Sequence, residues 1–249
     1  MAGEATAQED PDVPIHWEPR RPVEDPTLGI AVEVDRSGRP AHRLVTIGDS
    51  LTQGFMSAAV FRTDLSWPAV VAYELGLRVG EGFRYPVYEP PGGPGGLPLD
   101  LERFVRGHES RVGDRVDWYE AVRALRFVRS YMDRVEDWWE RGPGNDVPQV
   151  NAPYHNLGVY GADLLDVLLL DADRIAARLE KPSSDDPFVQ VVDRDNDRAW
   201  RVVLESCRAP DGTPRTVLDA ARAMGDEGTI DGAAGPGIET LVVMLGANH

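Results

Sequence analysis

Three short apolar runs, each breaking into a glycine-bearing polar turn, constrain this 249-residue chain more than any other feature: LVTIGDSLTQG at 44–54, NLGVYG at 156–161 and LVVMLGAN at 241–248. Short runs rich in Val, Ile and Leu and bounded by turn residues read as buried strands. Helical patterns lie between them, and strands alternating with helices imply a parallel sheet with crossovers, hence an α/β sandwich. In such sheets ligands sit beyond the carboxyl ends of the strands. Ser50, Gly161 and Asn248 each fall just past a predicted strand. Three separate segments are therefore expected to bring polar groups to one edge of the sheet.

The rest of the chain divides on the same signals. Residues 1–27, acidic and proline-rich, read as a flexible arm, and IAVEV holds a short strand ahead of the buried strand at 43–47. Pro68 suits the first turn of a helix that ends near Gly76. The glycine- and proline-packed stretch 80–100 reads as loop, and LERFVRGHES as a short helix. Trp118, Val122, Leu125, Val128, Met132, Val135 and Trp139 then recur at steps of three or four, one apolar stripe of a long helix that packs on the core. A helix is expected from beyond Gly161 to about Lys181, and PFVQVVDRDNDRAWRVVLES reads as two strands joined by a polar turn. Thr213 with Pro214 behind it predicts an N-cap opening a helix through Met224, ahead of a buried strand in IETLVVMLGANH.

Charge and cysteine content narrow the function. A net charge of −16, with no clustered basic footprint, argues against binding nucleic acid or an anionic membrane surface. It favours neutral or cationic substrates. The single cysteine, Cys207, has no partner for a disulfide and no metal-ligating companion. The first residues, MAGEATAQEDPDVPIHWEPRRPVEDP, lack the basic and apolar regions of a secretory signal, and no apolar run reaches the length of a membrane span. The expectation is a soluble, cytoplasmic protein with no integral membrane segment.

Acyl transfer from an ester needs a nucleophile, a base and donors for the oxyanion that develops on the carbonyl oxygen. Ser50 offers a hydroxyl at a strand-to-helix turn, Gly161 a backbone N–H free of side-chain obstruction, and Asn248 an amide donor. Here the residues resemble the SGNH or GDSL hydrolases: IGDSLTQG is similar to that family's first block, NLGVYG to its second and LGAN to its third, in the family's order. The resemblance implies a flavodoxin-like three-layer sandwich around a central parallel sheet. It also implies hydrolysis of a small-molecule carboxylic ester through a serine acyl-enzyme, without metal or organic cofactor. Its catalytic residues map onto Ser50 as nucleophile, with Gly161 and Asn248 in the oxyanion hole. It covers residues 28–249 apart from an insert.

Two departures from the family shape further expectations. Ser50 and Gly161 are separated by far more than the roughly 30 residues a strand–helix–strand unit needs, so about 80–150 is expected to form an inserted helical and loop cap over the acyl pocket. The family's base sits in a later Asp-x-x-His block, and none of His16, His42, His108, His155 or His249 has an aspartate three residues before it. His108 and His155 read as structural, and His249 as a chain-end residue. The base is expected beyond residue 249, in which case the chain is an N-terminal portion of a longer protein. Its sheet would be incomplete, with an apolar strand edge exposed. These 249 residues alone would then show little or no esterase activity. Two alternatives remain open: a non-catalytic binding domain that keeps the pocket without the base, and an acyltransferase using the same residues.

Several weaker signals fall away. Asp193, Asp195 and Asp197 alternate like calcium-loop ligands, but Arg198 and Leu204 occupy the positions where a glycine and a glutamate are required, leaving a solvated hairpin turn. Asp49 adjoins Ser50 too closely to orient a histidine and reads as a turn-holding residue. Asp163 reads as a cap on the following helix.

Overall fold

A computed structural model describes residues 41–249 except 79, 81, 89–96, 99, 113–120, 141–145, 181–186, 228, 231–232, 235–236 and 247–249. The arm at 1–27, the strand in IAVEV, Trp118 and Asn248 lie outside the described residues. In chain order the elements are β1 (His42–Gly48), α1 (Ser50–Gln53), β2 (Phe55–Met56), β3 (Ala59–Val60), α2 (Trp67–Glu74), β4 (Leu97–Pro98), α3 (Leu101–Val112) and α4 (Ala121–Glu140). After these come α5 (Leu164–Leu169), α6 (Ala172–Leu179), α7 (Pro187–Cys207), α8 (Val217–Asp226), β5 (Thr229–Ile230), β6 (Ala233–Ala234) and β7 (Ile238–Met244). The fold is mixed α/β, with a small parallel sheet and eight α-helices among the described residues. None of the described helices is long and apolar enough to cross a membrane.

β1 lies at the centre because both of its faces are apolar. Leu44 packs with Ala69 and Ala72 of α2 and with Phe83, while Val45 and Ile47 face the larger core that holds Trp200, Val203 and Leu204 of α7 and Ala220 and Met224 of α8. β7 pairs with β1 in parallel, from His42 opposite Ile238 to Gly48 opposite Met244. On the other side of β1 the segment at 155–159 runs parallel to it through a bridge at Asn156, with Leu157 N–H donating to Thr46 O and Val159 N–H to Gly48 O. The second apolar run is thus extended and paired with β1, but it makes a single bridge rather than a full ladder.

Four sequence expectations need correction. The stretch read as two strands around a polar turn is one helix, α7, of 21 residues. Its Val-rich ends carry β propensity, but Ala199, Trp200, Val203, Leu204 and Cys207 fall at helical spacing and are all buried, so tertiary packing decides the conformation. Asp195 and Asp197 therefore stand on a helix and not on a hairpin turn. The helix after Gly161 breaks at Leu170, because Asp171 accepts a hydrogen bond from Arg174 N–H and starts α6 afresh. α8 begins later than Thr213: Thr216 is its N-cap, accepting from Asp219 N–H at 3.1 Å.

The fourth correction concerns exposure. β7 is not buried: Leu241 and Val243 share a face with the fully buried Val45 and Ile47 yet stay exposed, because the helices that cover β1 do not extend over its neighbour. The α4 stripe divides in the same way. Met132, Val135 and Trp139 are buried in the core with Phe127 and Tyr131, whereas Val122 and Leu125 are exposed. From Phe127 onward that helix serves the core, and its first turn and a half does not.

Candidate functional site

Gly48, at the C-terminal end of β1, has Met244 of β7 directly opposite on one side and receives the Val159 N–H on the other. The ends of the three apolar runs therefore meet at one level of the sheet. A side chain at Gly48 would sit 2.1 Å from Thr52 Oγ1 and 2.8 Å from Met244 O, so only glycine permits this approach. Asn248, four residues past Met244, lies outside the described residues.

Ser50 opens the single turn of α1. Asp49 is its N-cap, buried, with Oδ1 accepting from Leu51 N–H at 3.2 Å, which is the turn-holding role its position suggested. Gly54, with φ of 95°, closes the turn by donating its N–H to Ser50 O. Ser50 is half-buried, and no described residue is hydrogen-bonded to its hydroxyl. Thr52 is buried two residues on, and its hydroxyl has no partner among the described residues.

The second block is tied to this turn by side chains the sequence did not single out. Asn156 accepts from Gly158 N–H at 3.1 Å and from the Thr46 hydroxyl at 3.3 Å, and its amide donates to Thr52 O at 2.8 Å. Gln53 accepts from Tyr160 N–H at 2.7 Å and donates to the Tyr88 hydroxyl at 2.9 Å. Gly161 follows with φ of 76°, a left-handed conformation that favours glycine. Asp163, just beyond, caps α5 in a reciprocal capping box with Asp166.

α7 locks the same turn from outside. The Tyr160 hydroxyl donates to Asp195 Oδ2 at 2.5 Å, and the Asn196 amide donates to Tyr160 O at 2.6 Å. Burial pushes the Tyr160 hydroxyl above its ordinary range, and the neighbouring Asp195 carboxylate adds to the effect. Burial also raises Asp195, with the Tyr160 hydrogen bond opposing it. The sequence offered no signal for this pair, because the stretch that carries Asp195 and Asn196 reads locally as a polar turn between two strands.

The described histidines stand elsewhere. His42 begins β1, and with about 3.3 Å per strand residue it starts about 20 Å from the Ser50 end. Arg84 N–H donates to His155 Nδ1 at 2.8 Å, His155 Nε2 lies 2.9 Å from His42 Nδ1, and His42 Nε2 lies 2.7 Å from Glu227 Oε2. Because His155 Nδ1 must accept, its proton sits on Nε2, and the chain runs in one direction from Arg84 through both imidazoles to Glu227. Burial first, then Arg84 and His42, pull His155 down to about 3. His108, on α3, packs its ring 5.9 Å from that of Phe127. His16 and His249 lie outside the described residues. Cys207 is a free, buried thiol that burial pushes up to about 12. No group of three or more His, Cys, Asp or Glu among the described residues is arranged to hold a metal ion.

Comparisons with protein-family models, with curated proteins and with solved structures returned no match. The site thus rests on its own geometry: a serine at a helix-entering turn, a left-handed glycine turn beside it, and a third strand ending at the same level.

Proposed function

We propose that the protein is a serine hydrolase of carboxylic esters, built as a flavodoxin-like sandwich of the SGNH type. Ser50 Oγ attacks the acyl carbon, the alcohol leaves, and water releases the acid from the acyl-enzyme. The N–H groups of Ser50 and Gly161 and the Asn248 amide hold the oxyanion, each such donor contributing about 3 to 4 kcal/mol to the transition state. The proton acceptor for Ser50 is a histidine other than His42, His108 and His155, which are engaged elsewhere. The observation that carries this reading is the convergence of Gly48–Ser50, Gly158–Gly161 and the end of β7 at one edge of the sheet.

Hydrolysis of p-nitrophenyl acetate by the natural gene product and by its Ser50→Ala variant tests the reading. Turnover lost in Ser50→Ala supports it, and equal turnover in both removes Ser50 from its role. A second reading, a ligand-binding domain without catalysis, is favoured by the placement of the described histidines: His42 and His155 pair with each other, His42 pairs with Glu227, and His108 packs on Phe127. It requires ester binding without turnover.

A further inference from the structure

A cavity of about 610 Å³ opens between α3, α4 and the segment at 56–62, within the size range of small-molecule sites. Five arginines line it, Arg62, Arg103, Arg106, Arg111 and Arg134, against only two carboxylates, Asp100 and Glu102. In a chain of net charge −16 this is a local reversal of sign.

Two of the five guanidiniums are already neutralised. Arg62 makes a two-pronged pair with Asp64, at 3.0 Å for both bonds, and Arg106 pairs with Glu102 at 2.8 Å. Arg103, Arg111 and Arg134 have no carboxylate within ion-pair range among the described residues. Asp100 is buried and its carboxylate accepts the Arg103 backbone N–H at 3.0 Å, so it acts as a helix cap. Arg111 donates to Gly107 O at 2.8 Å and lies 4.8 Å over the Phe127 ring, and Arg134 donates to Ser130 Oγ at 2.9 Å and lies 5.8 Å over the Tyr131 ring. Stacking on an aromatic face holds a guanidinium's fork of donors in a fixed plane while most of those donors stay free. Burial raises the Tyr131 hydroxyl, Arg103 and Arg134 pull it down and Asp100 pushes it up, so two arginines and one carboxylate lie within electrostatic range of one point in the cavity.

The remaining wall is apolar, from Met56, Phe61 and the rings of Phe127 and Tyr131. Three uncompensated guanidiniums match the charge and the oxygens of a phosphate, and the apolar wall matches an organic body attached to it. We propose that this cavity binds a phosphate monoester carrying an apolar body, held through Arg103, Arg111 and Arg134. Ser50 is not among the residues that line the cavity, and the proposal does not depend on ester hydrolysis.

Isothermal titration with phenyl phosphate, dodecyl phosphate below its micelle concentration, inorganic phosphate and neutral dodecyl maltoside tests the proposal. The two organic phosphates are expected to bind at least tenfold more tightly than inorganic phosphate, and more weakly as salt is raised. A preference for dodecyl over phenyl phosphate would identify a lipid-like source, and the reverse a small aromatic phosphate. Arg103→Gln and Arg134→Gln, checked for an unchanged thermal melt, are each expected to weaken binding at least fivefold. Absence of organic phosphate binding, binding unchanged in both variants, or equal binding of dodecyl maltoside would overturn it.

Discussion

The imidazole chain at the start of β1 makes the stability of the fold depend on pH in a way one substitution can isolate. His155 is buried, accepts the Arg84 N–H through Nδ1, and is held at about 3 against an ordinary value of 6.5. Protonating it places a proton on Nδ1 facing the Arg84 donor, so the folded state stays neutral while the unfolded chain takes up a proton. A histidine depressed in the folded state contributes stability that is fully present above pH 6.5 and is lost as pH falls toward about 3. At about 1.4 kcal/mol per pH unit, the gap corresponds to about 5 kcal/mol in all and about 3 kcal/mol between pH 7 and pH 4. His155→Gln removes the titrating group and leaves the Arg84 N–H unpaired, which costs about 1 to 3 kcal/mol at neutral pH. Urea unfolding of both proteins at pH 7, 6, 5 and 4 is the assay. The wild-type advantage is expected to shrink by about 3 kcal/mol over that range, since only the wild type carries this linkage. Parallel stability profiles would show that His155 is not held neutral by its surroundings, and would refute the reasoning.

Asn156→Ala is expected to cost about 3 kcal/mol in urea unfolding, because the Gly158 N–H and Thr52 C=O lose a buried partner. The same variant is expected to lower esterase turnover, measured as p-nitrophenol release, by loosening Gly161 from the Ser50 turn. Cys207 is expected to resist iodoacetamide in the folded protein at pH 8 and to react fully in urea, since burial keeps it a thiol. Mass spectrometry of the alkylated peptide checks this.

The parts of the fold legible in the sequence are those where local pattern and burial agree. β1 is apolar on both faces and is buried on both, α2 begins where Pro68 indicates, and Asp49 and Asp163 cap the helices they precede. α7 was not legible because Val189, Val191 and Val192 favour a strand locally, and it is the contacts of Trp200 and Val203 with distant segments that make the stretch helical. The exposure of β7 is likewise a matter of which helices reach it, which no periodicity within the strand encodes. At the site, Ser50 and Gly161 stood out by their turns, whereas Asn156, Gln53 and Asn196 act through hydrogen bonds spanning 36 to 107 positions. The five-arginine cavity was hidden by an acidic total, since Arg62 and Arg134 come together only where α3 and α4 lie beside the segment at 56–62. That local excess also runs against the substrate preference suggested by net charge alone.

Whether Ser50 is an activated nucleophile is decided most directly by treating the natural gene product with a fluorophosphonate and mapping the adduct by peptide mass spectrometry. One adduct is expected, on Ser50, absent from the Ser50→Ala variant. Labelling that is equal in both proteins, or an adduct on another serine with Ser50 unmodified, would contradict it.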